Sequence, residues 1–138
     1  MKQERTKTIL STLWIFVLLN TFARDIHELG RPGMLEQVAA GVIDGVVITE
    51  VMMLLGGIMF EIQILMVLLS QILKYPVNRW LNIIVGIITI GIVVSQNLNP
   101  DLDNIFFMVI KISALIGVIG IAIRWRPVNG KDDNARNP

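Results

Sequence analysis

The chain has 138 residues, a length that accommodates one domain. Its hydrophobic fraction is 54% and its charged fraction 17%, against about 45–50% apolar and about 25% charged residues in an average soluble domain. Its mean hydropathy is +0.66. This excess of apolar side chains argues against a soluble enzyme, a nucleic-acid-binding protein and a disordered chain. The net charge of +1 excludes nothing by itself, whereas the absence of cysteine excludes disulfides, cysteine-ligated metals and thiol catalysis.

Four apolar stretches are near the length of about 20 residues that a helix needs to cross a bilayer. They cover residues 7–24, 46–73, 79–97 and 104–124. Backbone amides find no water inside the hydrocarbon, so each stretch is predicted to be a helix. We therefore expect an all-α polytopic membrane protein, a four-transmembrane-helix up-down bundle that forms a single membrane domain over residues 1–138. The first stretch is interpreted as a retained helix, because Thr21-Phe22-Ala23 is a poor signal-peptide cleavage site.

The placement of the charges predicts the orientation of the chain. Basic residues predominate in the N-terminal arm, in the loop at residues 74–79 and in the C-terminal tail. The loops at residues 25–45 and 98–103 carry most of the acidic residues. Basic segments next to spans stay in the cytoplasm by the positive-inside rule. We therefore expect a multi-pass protein of a bacterial cytoplasmic (inner) membrane, with both termini cytoplasmic.

The later connections between the predicted spans are short. Residues 75–78 predict a tight turn, because Pro76 removes a backbone donor and restricts the residue before it. This turn would make the second and third spans antiparallel neighbours. Residues 97–101 predict a second turn, after which Asp103 or Asn104 is placed to cap the fourth helix.

The first connection, the outer loop at residues 25–45, is longer and more distinctive. The first helix is expected to continue past the membrane to Leu29 and to stop at Gly30, which is followed by Arg-Pro-Gly. Apolar residues at helical spacing over residues 34–42 predict a short amphipathic helix in this outer loop. At the other end of the chain, residues 127–138 are predicted to be disordered.

Several short motifs in the chain resemble those of a known family. They are Arg24-Asp25-Ile26-His27-Glu28-Leu29-Gly30-Arg31-Pro32-Gly33, Ile48-Thr49-Glu50, Phe60-Glu61-Ile62 and Asn78-Arg79-Trp80-Leu81-Asn82. The family is one of small bacterial four-helix integral membrane proteins, catalogued as a domain of unknown function. The resemblance covers residues 8–125. It implies the four-span topology and a bacterial origin, and it implies no activity, cofactor or partner.

Ionisable side chains inside the predicted spans are few, and they are candidate functional residues. Glu61 is the deepest, because it lies eleven residues beyond Glu50, or about 16 Å along a helix. Eleven residues make about three turns, so Glu50 and Glu61 share one stripe of the second span with Gly57. We expect this stripe to face protein, because a charge at bilayer depth costs about 2.5–3.5 kcal/mol. Lys111 in the fourth span is the one basic side chain in the interior of a predicted span, away from its ends.

Three interpretations are open for the role of Glu50, Glu61 and Lys111. In the first, Lys111 forms a buried ion pair with Glu61 or Glu50, and the pair fixes the order of the helices. In the second, Glu61 exchanges a proton or binds a cation in a transporter, and Lys111 tunes it. In the third, Glu61 is protonated and hydrogen-bonded to a neighbour.

Small and polar residues in the later spans predict close helix packing. The third span has one such face, formed by Asn82, Gly86, Thr89, Val93 and Gln96, in which Asn82 is a further candidate functional residue. The fourth span has Ser113, Gly117 and Gly120. Small residues allow helices to approach closely and polar side chains hydrogen-bond across them. The alternative is a water-filled path along these faces.

A polar cluster follows the first span, formed by Arg24, Asp25, His27, Glu28 and Arg31. Side chains three or four residues apart on a helix can pair, so the favoured interpretation is a salt-bridged helix end at the headgroup layer. The alternative is a divalent-metal site or an acid/base pair that combines His27 with Asp25, Glu28 or Asp44. A metal site needs three or four converging ligands, so we predict no metal, no cofactor and no catalytic residue.

Three functions remain. The favoured one is a structural or accessory membrane protein, which acts through helix packing and associates with itself as a homo-oligomer or with a membrane-protein partner in the lipid bilayer. The second is a small proton- or cation-coupled transporter that uses the intramembrane carboxylate Glu61. The third, less favoured, is a membrane enzyme that acts at the outer surface through the cluster around His27. No nucleic-acid partner is expected.

Overall fold

The structure, a computed structural model, describes residues 2–97 and 101–126. Within these ranges the chain forms five helices and one two-stranded hairpin. They are, in chain order, α1 Lys2–Leu29, α2 Met34–Ala40, β1 Val42–Ile43, β2 Val46–Val47, α3 Glu50–Ile72, α4 Tyr75–Gln96 and α5 Leu102–Arg124. The four long helices, α1, α3, α4 and α5, are apolar and long enough to cross a membrane. The all-α polytopic bundle is therefore confirmed, whereas the predicted disordered tail at residues 127–138 lies outside the described ranges.

The two middle helices of the bundle are α1 and α5. The helix α1 packs along α3 on one side and along α5 on the other, and α4 packs along α5. The helices α3 and α4 meet at few points, and the hydrogen bonds between them lie beside their connecting turn. The prediction that these two spans are antiparallel neighbours therefore holds at the turn, and a gap separates them further along.

The bundle has two distinct ends. The start of α1, the α3–α4 turn and the end of α5 lie together at what we call the turn end, where the Tyr75 hydroxyl donates to the Trp125 carbonyl at 3.0 Å and Gln3 and Arg124 line one surface cleft. The end of α1 and the start of α5 lie at the opposite, loop end. There His27 contacts Asp103.

The apolar core lies between α1, α3 and α5, in the half of the bundle nearer the turn end. Its largest fully buried apolar side chains are Leu10, Trp14 and Val17 of α1, Met66 of α3, and Leu115 and Val118 of α5. Within a membrane this packing stabilises through van der Waals contact, because lipid tails are as apolar as the side chains. The gap between α3 and α4 lies outside this core.

The first connection begins as predicted. The helix α1 continues to Leu29, beyond the predicted span of residues 7–24, and it also starts earlier, at Lys2. The short helix predicted over residues 34–42 is confirmed as α2, although it ends two residues sooner. It ends because Gly41, with a φ of 72°, adopts the left-handed conformation that terminates a helix.

A hairpin that the sequence analysis did not predict follows α2. The strands β1 and β2 pair antiparallel, and their turn is formed by Asp44 at φ 47° and Gly45 at φ 80°. Asp-Gly is a typical pair for a two-residue hairpin turn, because both residues need positive φ. The prediction that residues 46–49 belong to the second span is therefore wrong. The helix α3 begins after Thr49, whose Oγ1 accepts a hydrogen bond of 3.2 Å from the Met52 N–H.

Two later helix starts also differ from prediction. The helix α4 begins at Tyr75, within the predicted turn and four residues before the predicted start of the span. Pro76 lies in the first turn of this helix, where a missing N–H has no consequence. The helix α5 has Asp101 as its N-cap residue, and that side chain makes no capping hydrogen bond. The predicted cap by Asp103 or Asn104 is therefore wrong, because both residues lie inside the first turn.

Candidate functional site

A fully buried polar cluster joins α1, α3 and α4 near the turn end. Trp14 Nε1 donates to Asn82 Oδ1 at 2.7 Å, and Ser70 Oγ donates to the same oxygen at 3.3 Å. Asn82 Nδ2 donates to Asn78 Oδ1 at 2.7 Å. Asn78 Nδ2 in turn donates to the Ser70 carbonyl at 2.7 Å. Asn82, a candidate functional residue from the sequence, thus has its amide oxygen and nitrogen engaged in holding three helices together.

The predicted buried face of α4 packs as expected over most of its length. Its members Asn82, Gly86, Thr89 and Val93 are buried, whereas Gln96 at the loop end is exposed. Gly86 allows α5 to come close, because a Cβ atom there would lie 2.9 Å from Cγ1 of Ile119. On α5 itself, Ser113 is exposed and donates to the Val109 carbonyl of its own helix. The prediction that Ser113 contributes to interhelical packing is therefore wrong.

The acidic stripe of α3 points away from the bundle. Glu50, Gly57 and Glu61 are all exposed, because α3 turns its other side, with Gln63 and Met66, toward α1. Within residues 2–97 and 101–126, neither glutamate forms an ion pair or a side-chain hydrogen bond. The expectation that this stripe faces protein is wrong for the single chain. The ion pair of Lys111 with Glu61 or Glu50, one of the three interpretations from the sequence, is not formed.

Lys111 lies on the inner side of α5. Only 8% of the residue is exposed, and it forms no ion pair or hydrogen bond with the residues that the structure describes. It lines a cavity of about 250 Å³. A buried ammonium group without a hydrogen bond or a close ion pair is costly, so this residue marks the cavity as a candidate site.

The cavity occupies the gap between α3 and α4 toward the loop end, with α1 and α5 behind it. Polar groups from all four long helices line it, namely Thr21, Arg24, Asp25, Gln63, Thr89 and Gln96, in addition to Lys111. Its apolar wall includes Met59 and Phe60 of α3 and Ile88 and Ile92 of α4. Glu61 is not among the lining residues, since its side chain leaves α3 on the opposite side.

Arg24 supplies a second cation to this cavity. Its Nε donates to Asn104 Oδ1 at 3.0 Å, which ties α1 to α5, and its Nη1 donates to Asp25 Oδ1 at 3.3 Å. Its Nη2 makes no hydrogen bond with the described part of the chain. Arg24 and Glu28 are four residues apart on α1, but they do not pair, because Glu28 contacts Arg31 instead.

Arg31 connects the loops at the loop end. Its Nη2 lies 3.0 Å from Glu28 Oε1 and 3.3 Å from Asp44 Oδ2. Its Nη1 lies 3.5 Å from Asp101 Oδ2. One guanidinium group thus connects α1, the β1–β2 hairpin and the residue that precedes α5. The salt-bridged helix end expected from the sequence is present, and Arg31 makes the most ion pairs in it.

His27 is exposed and pairs with a carboxylate that the sequence analysis did not consider. Its Nε2 lies 3.3 Å from Asp103 Oδ2, whereas Asp25, Glu28 and Asp44 have other partners. Among the described residues, no three His, Cys, Asp or Glu side chains converge as a metal site requires. A His–Asp pair can exchange a proton, but the pair alone assigns no reaction.

Several residues of these sites carry signals that the sequence analysis did not use. Trp14 is in the middle of an apolar stretch rather than at its end, and a buried tryptophan N–H needs an acceptor. Gln63 and Thr21 are polar residues inside spans, and the Thr21 hydroxyl lies 3.3 Å from Gln63 Oε1. Asn78 was assigned to a turn, where asparagine is common. Asn104 has no local signal for its contact with α1.

Comparison with known proteins assigns the chain to a family. A family model described as a family of unknown function, DUF6326, matches residues 1–131. No curated protein and no solved structure matches the chain. The resemblance of the sequence motifs to a family of unknown function is thereby confirmed. Since the match covers nearly the whole sequence, the chain belongs to the family of unknown function DUF6326.

Proposed function

We propose that this protein has a structural or accessory role in its membrane, and that it acts through association of α3 with a second copy of the chain. The observation that carries the proposal is the placement of Glu61. It lies in the middle of α3, a helix long and apolar enough to span the membrane, and it is exposed and unpaired within the described residues. A second copy would cover the side of α3 that the bundle leaves open.

The cost of an ionisable group in lipid supports this proposal. A charged side chain at mid-membrane costs about 2.5–3.5 kcal/mol, so such residues face protein or water and find a partner. Glu61 is about 16 Å of helix from Glu50 at the loop end, too far for its short side chain to reach water along the helix. Lys111 is buried on another helix, so residues 2–97 and 101–126 offer Glu61 no cation. The partner must come from outside the single bundle.

The chemistry of the stripe favours a second copy as that partner. A protonated carboxyl group has both a donor and acceptors, so two such groups can hydrogen-bond to each other across a two-fold axis, where the same patch meets itself. At Gly57, one turn from Glu61, no described atom beyond its chain neighbours and its own helix backbone lies within 4 Å of the position that a Cβ would occupy. A glycine at such a place lets two helices approach closely.

Self-association in vesicles tests the proposal. Fluorescence energy transfer between labelled full-length chains reports the fraction of dimer. Its decrease as the protein is diluted with added lipid gives the dimer affinity. Glu61→Gln keeps a donor and an acceptor and should leave the affinity within about threefold of the original. Glu61→Met has similar size but cannot form the hydrogen bond, and it should weaken dimerisation by about three- to tenfold.

The matched control is Ile87→Met, since Ile87 is exposed on α4 at about the same distance from the α3–α4 turn. It should leave the dimer unchanged. Energy transfer that is absent in the original protein, or that is the same in Glu61→Met as in the original, would overturn the proposal. Because Glu61 is exposed and unpaired, these substitutions should not unfold the monomer, and unfolding temperatures in detergent check this.

The two other functions have less support in the geometry. Transport through Glu61 requires a polar path to this carboxylate, and the cavity between α3 and α4 is lined by other residues. The observation available for catalysis at the loop end is the His27–Asp103 pair. Its side chains are 59% and 44% exposed, so the pair lies at the surface. No specific observation favours either over association.

The orientation completes the proposal: the turn end faces the cytoplasm of a bacterium, and the loop end faces away from it across the inner membrane. The exposed basic residues Lys74, Arg124 and Arg126 at the turn end support this through the positive-inside rule. The chain has no cysteine, so one introduced thiol reports its own side. A membrane-impermeant maleimide should label Asp44→Cys but not Lys74→Cys in intact cells, and the reverse result would refute the orientation.

A further inference from the structure

The cavity between α3 and α4 has a composition that suits a particular class of ligand. We infer that it binds the anionic headgroup of a lipid-like amphiphile, with Lys111 and Arg24 holding the headgroup and the apolar tail leaving along Phe60 and Ile88. This site is separate from the α3 surface through which we propose that the chain associates.

The charges around the cavity support an anion. Lys111 is 8% exposed and forms no hydrogen bond or close ion pair with the described residues, and Arg24 Nη2 likewise makes no hydrogen bond with them. Asp25 is the one carboxylate among the residues that line the cavity, and it already contacts Arg24 at 3.3 Å. The lining therefore has one more cation than anions. A charge buried in low dielectric needs a counter-charge, and a bound anion would supply it.

The size and position of the cavity support an amphiphile rather than a small ion. Its volume of about 250 Å³ is below the range of about 300–1,000 Å³ that encloses a whole drug-sized ligand. The cavity therefore suits a headgroup and the first part of the ligand's apolar tail. Ile88, on the rim, is 52% exposed on a helix long enough to span the membrane, so the apolar wall continues to the surface that lipid covers. A ligand tail has room to extend from the gap between α3 and α4 into the bilayer.

The site is independent of the Glu61 surface, because the two lie on opposite sides of α3. Successive residues of an α-helix are about 100° apart around its axis. Gln63, which lines the cavity, thus points about 200° away from Glu61. Ligand binding and self-association can therefore be disrupted separately.

Native mass spectrometry of the purified full-length protein tests the inference with three probes. They are oleate, an anionic fatty acid; dioleoylphosphatidylglycerol, an anionic phospholipid; and dioleoylphosphatidylcholine, its zwitterionic counterpart. We expect oleate, phosphatidylglycerol or both to bind at least about tenfold more tightly than phosphatidylcholine. Binding of oleate alone would identify a free fatty acid as the ligand source, and binding of phosphatidylglycerol alone would identify a bilayer lipid.

Three variants attribute this binding to the cavity. Lys111→Met removes the buried cation and should lower the affinity for the anionic probe by at least about tenfold. Lys111→Arg keeps a cation and should retain most of the binding. Lys74→Met removes an exposed cation at the turn end and should leave the affinity for the anionic probe unchanged. Lys111→Met removes an unpaired buried charge, so its unfolding temperature should not fall. Equal binding of the three probes, or equal binding by the original protein and Lys111→Met, would overturn the inference.

Discussion

Trp14 Nε1 donates a hydrogen bond of 2.7 Å to Asn82 Oδ1, and this bond connects α1 to α4 across 68 residues of sequence. Both residues are fully buried. In a bilayer, where apolar burial between helices has little driving force, such bonds help to select which helices become neighbours. Beyond the turn, where α3 leaves α4, the position of α4 is set by its packing along α5, and this bond adds a connection to α1.

Asn82→Leu should destabilise the protein by about 1–3 kcal/mol, because it leaves the buried Trp14 N–H without an acceptor. Trp14→Phe removes the donor as well, so the double variant should be less destabilised than the sum of the two single variants. Denaturant unfolding in detergent measures all three. Ser95→Ala is the control, because Ser95 is exposed and its hydroxyl bonds only to its own helix. A purely additive double variant would show that the bond does not couple the helices.

Gly86→Leu should cost about 1–3 kcal/mol, because the new side chain meets Ile119 at the α4–α5 contact and overpacks it. Gly91→Ala on the same helix is the matched control. Nothing lies within 4 Å of its Cβ position, and replacing glycine with alanine inside a helix stabilises by up to about 1 kcal/mol. Thermal unfolding of the two variants should therefore shift in opposite directions. A tolerated Gly86→Leu would mean that α4 and α5 are further apart.

Glu61 and Lys111 should behave as independent residues in a double-mutant cycle. They form no ion pair, so the effects of Glu61→Gln and Lys111→Met on unfolding should add within about 0.3–0.5 kcal/mol. Denaturant unfolding of the monomer in detergent measures this. If Lys111→Met instead rescued a destabilised Glu61→Gln, the two side chains would be paired within the bundle.

Arg31→Gln should loosen the loop end without unfolding the bundle. The guanidinium contacts three carboxylates, and partly exposed ion pairs contribute about 0.2–1 kcal/mol each. Hydrogen exchange should therefore accelerate in the β1–β2 hairpin and at the start of α5, and not in the buried parts of α1. High salt should produce the same local change in the original protein, because it screens exposed charges. Unchanged exchange in both regions would show that Arg31 does not hold the loops.

The spans themselves could be predicted from the sequence, because the bilayer fixes the length of an apolar helix. The short helix after α1 was predictable too, since its apolar residues repeat at helical spacing. The hairpin was missed because strands of two residues have no periodicity to detect, although Asp44-Gly45 is a typical turn pair. The start of α4 was missed because proline is favoured both in turns and in the first turn of a helix, so Pro76 does not distinguish them.

The direction of the charged side chains was harder to predict. Lys111 was correctly expected to lie within a span, and it is buried. Glu61 was expected to face the bundle by the same reasoning, but Gln63 and Met66 occupy the side of α3 that packs on α1. Which face of a helix meets its neighbour depends on contacts distant in sequence, such as the one between Trp14 and Asn82. A single sequence shows which side chains are unfavourable in lipid, but it does not show which neighbouring group stabilises each of them.

Cysteine cross-linking in native membranes tests most directly whether α3 associates with a second copy through the Glu61 surface. The chain has no cysteine, so each variant carries a single thiol. Leu54 and Leu68 are exposed and lie seven residues before and after Glu61, on the same side of the helix. We predict that Leu54→Cys and Leu68→Cys form cross-linked dimers and that Ile87→Cys on α4 does not. Cross-linking through Ile87→Cys but not through Leu54→Cys or Leu68→Cys would contradict the proposal.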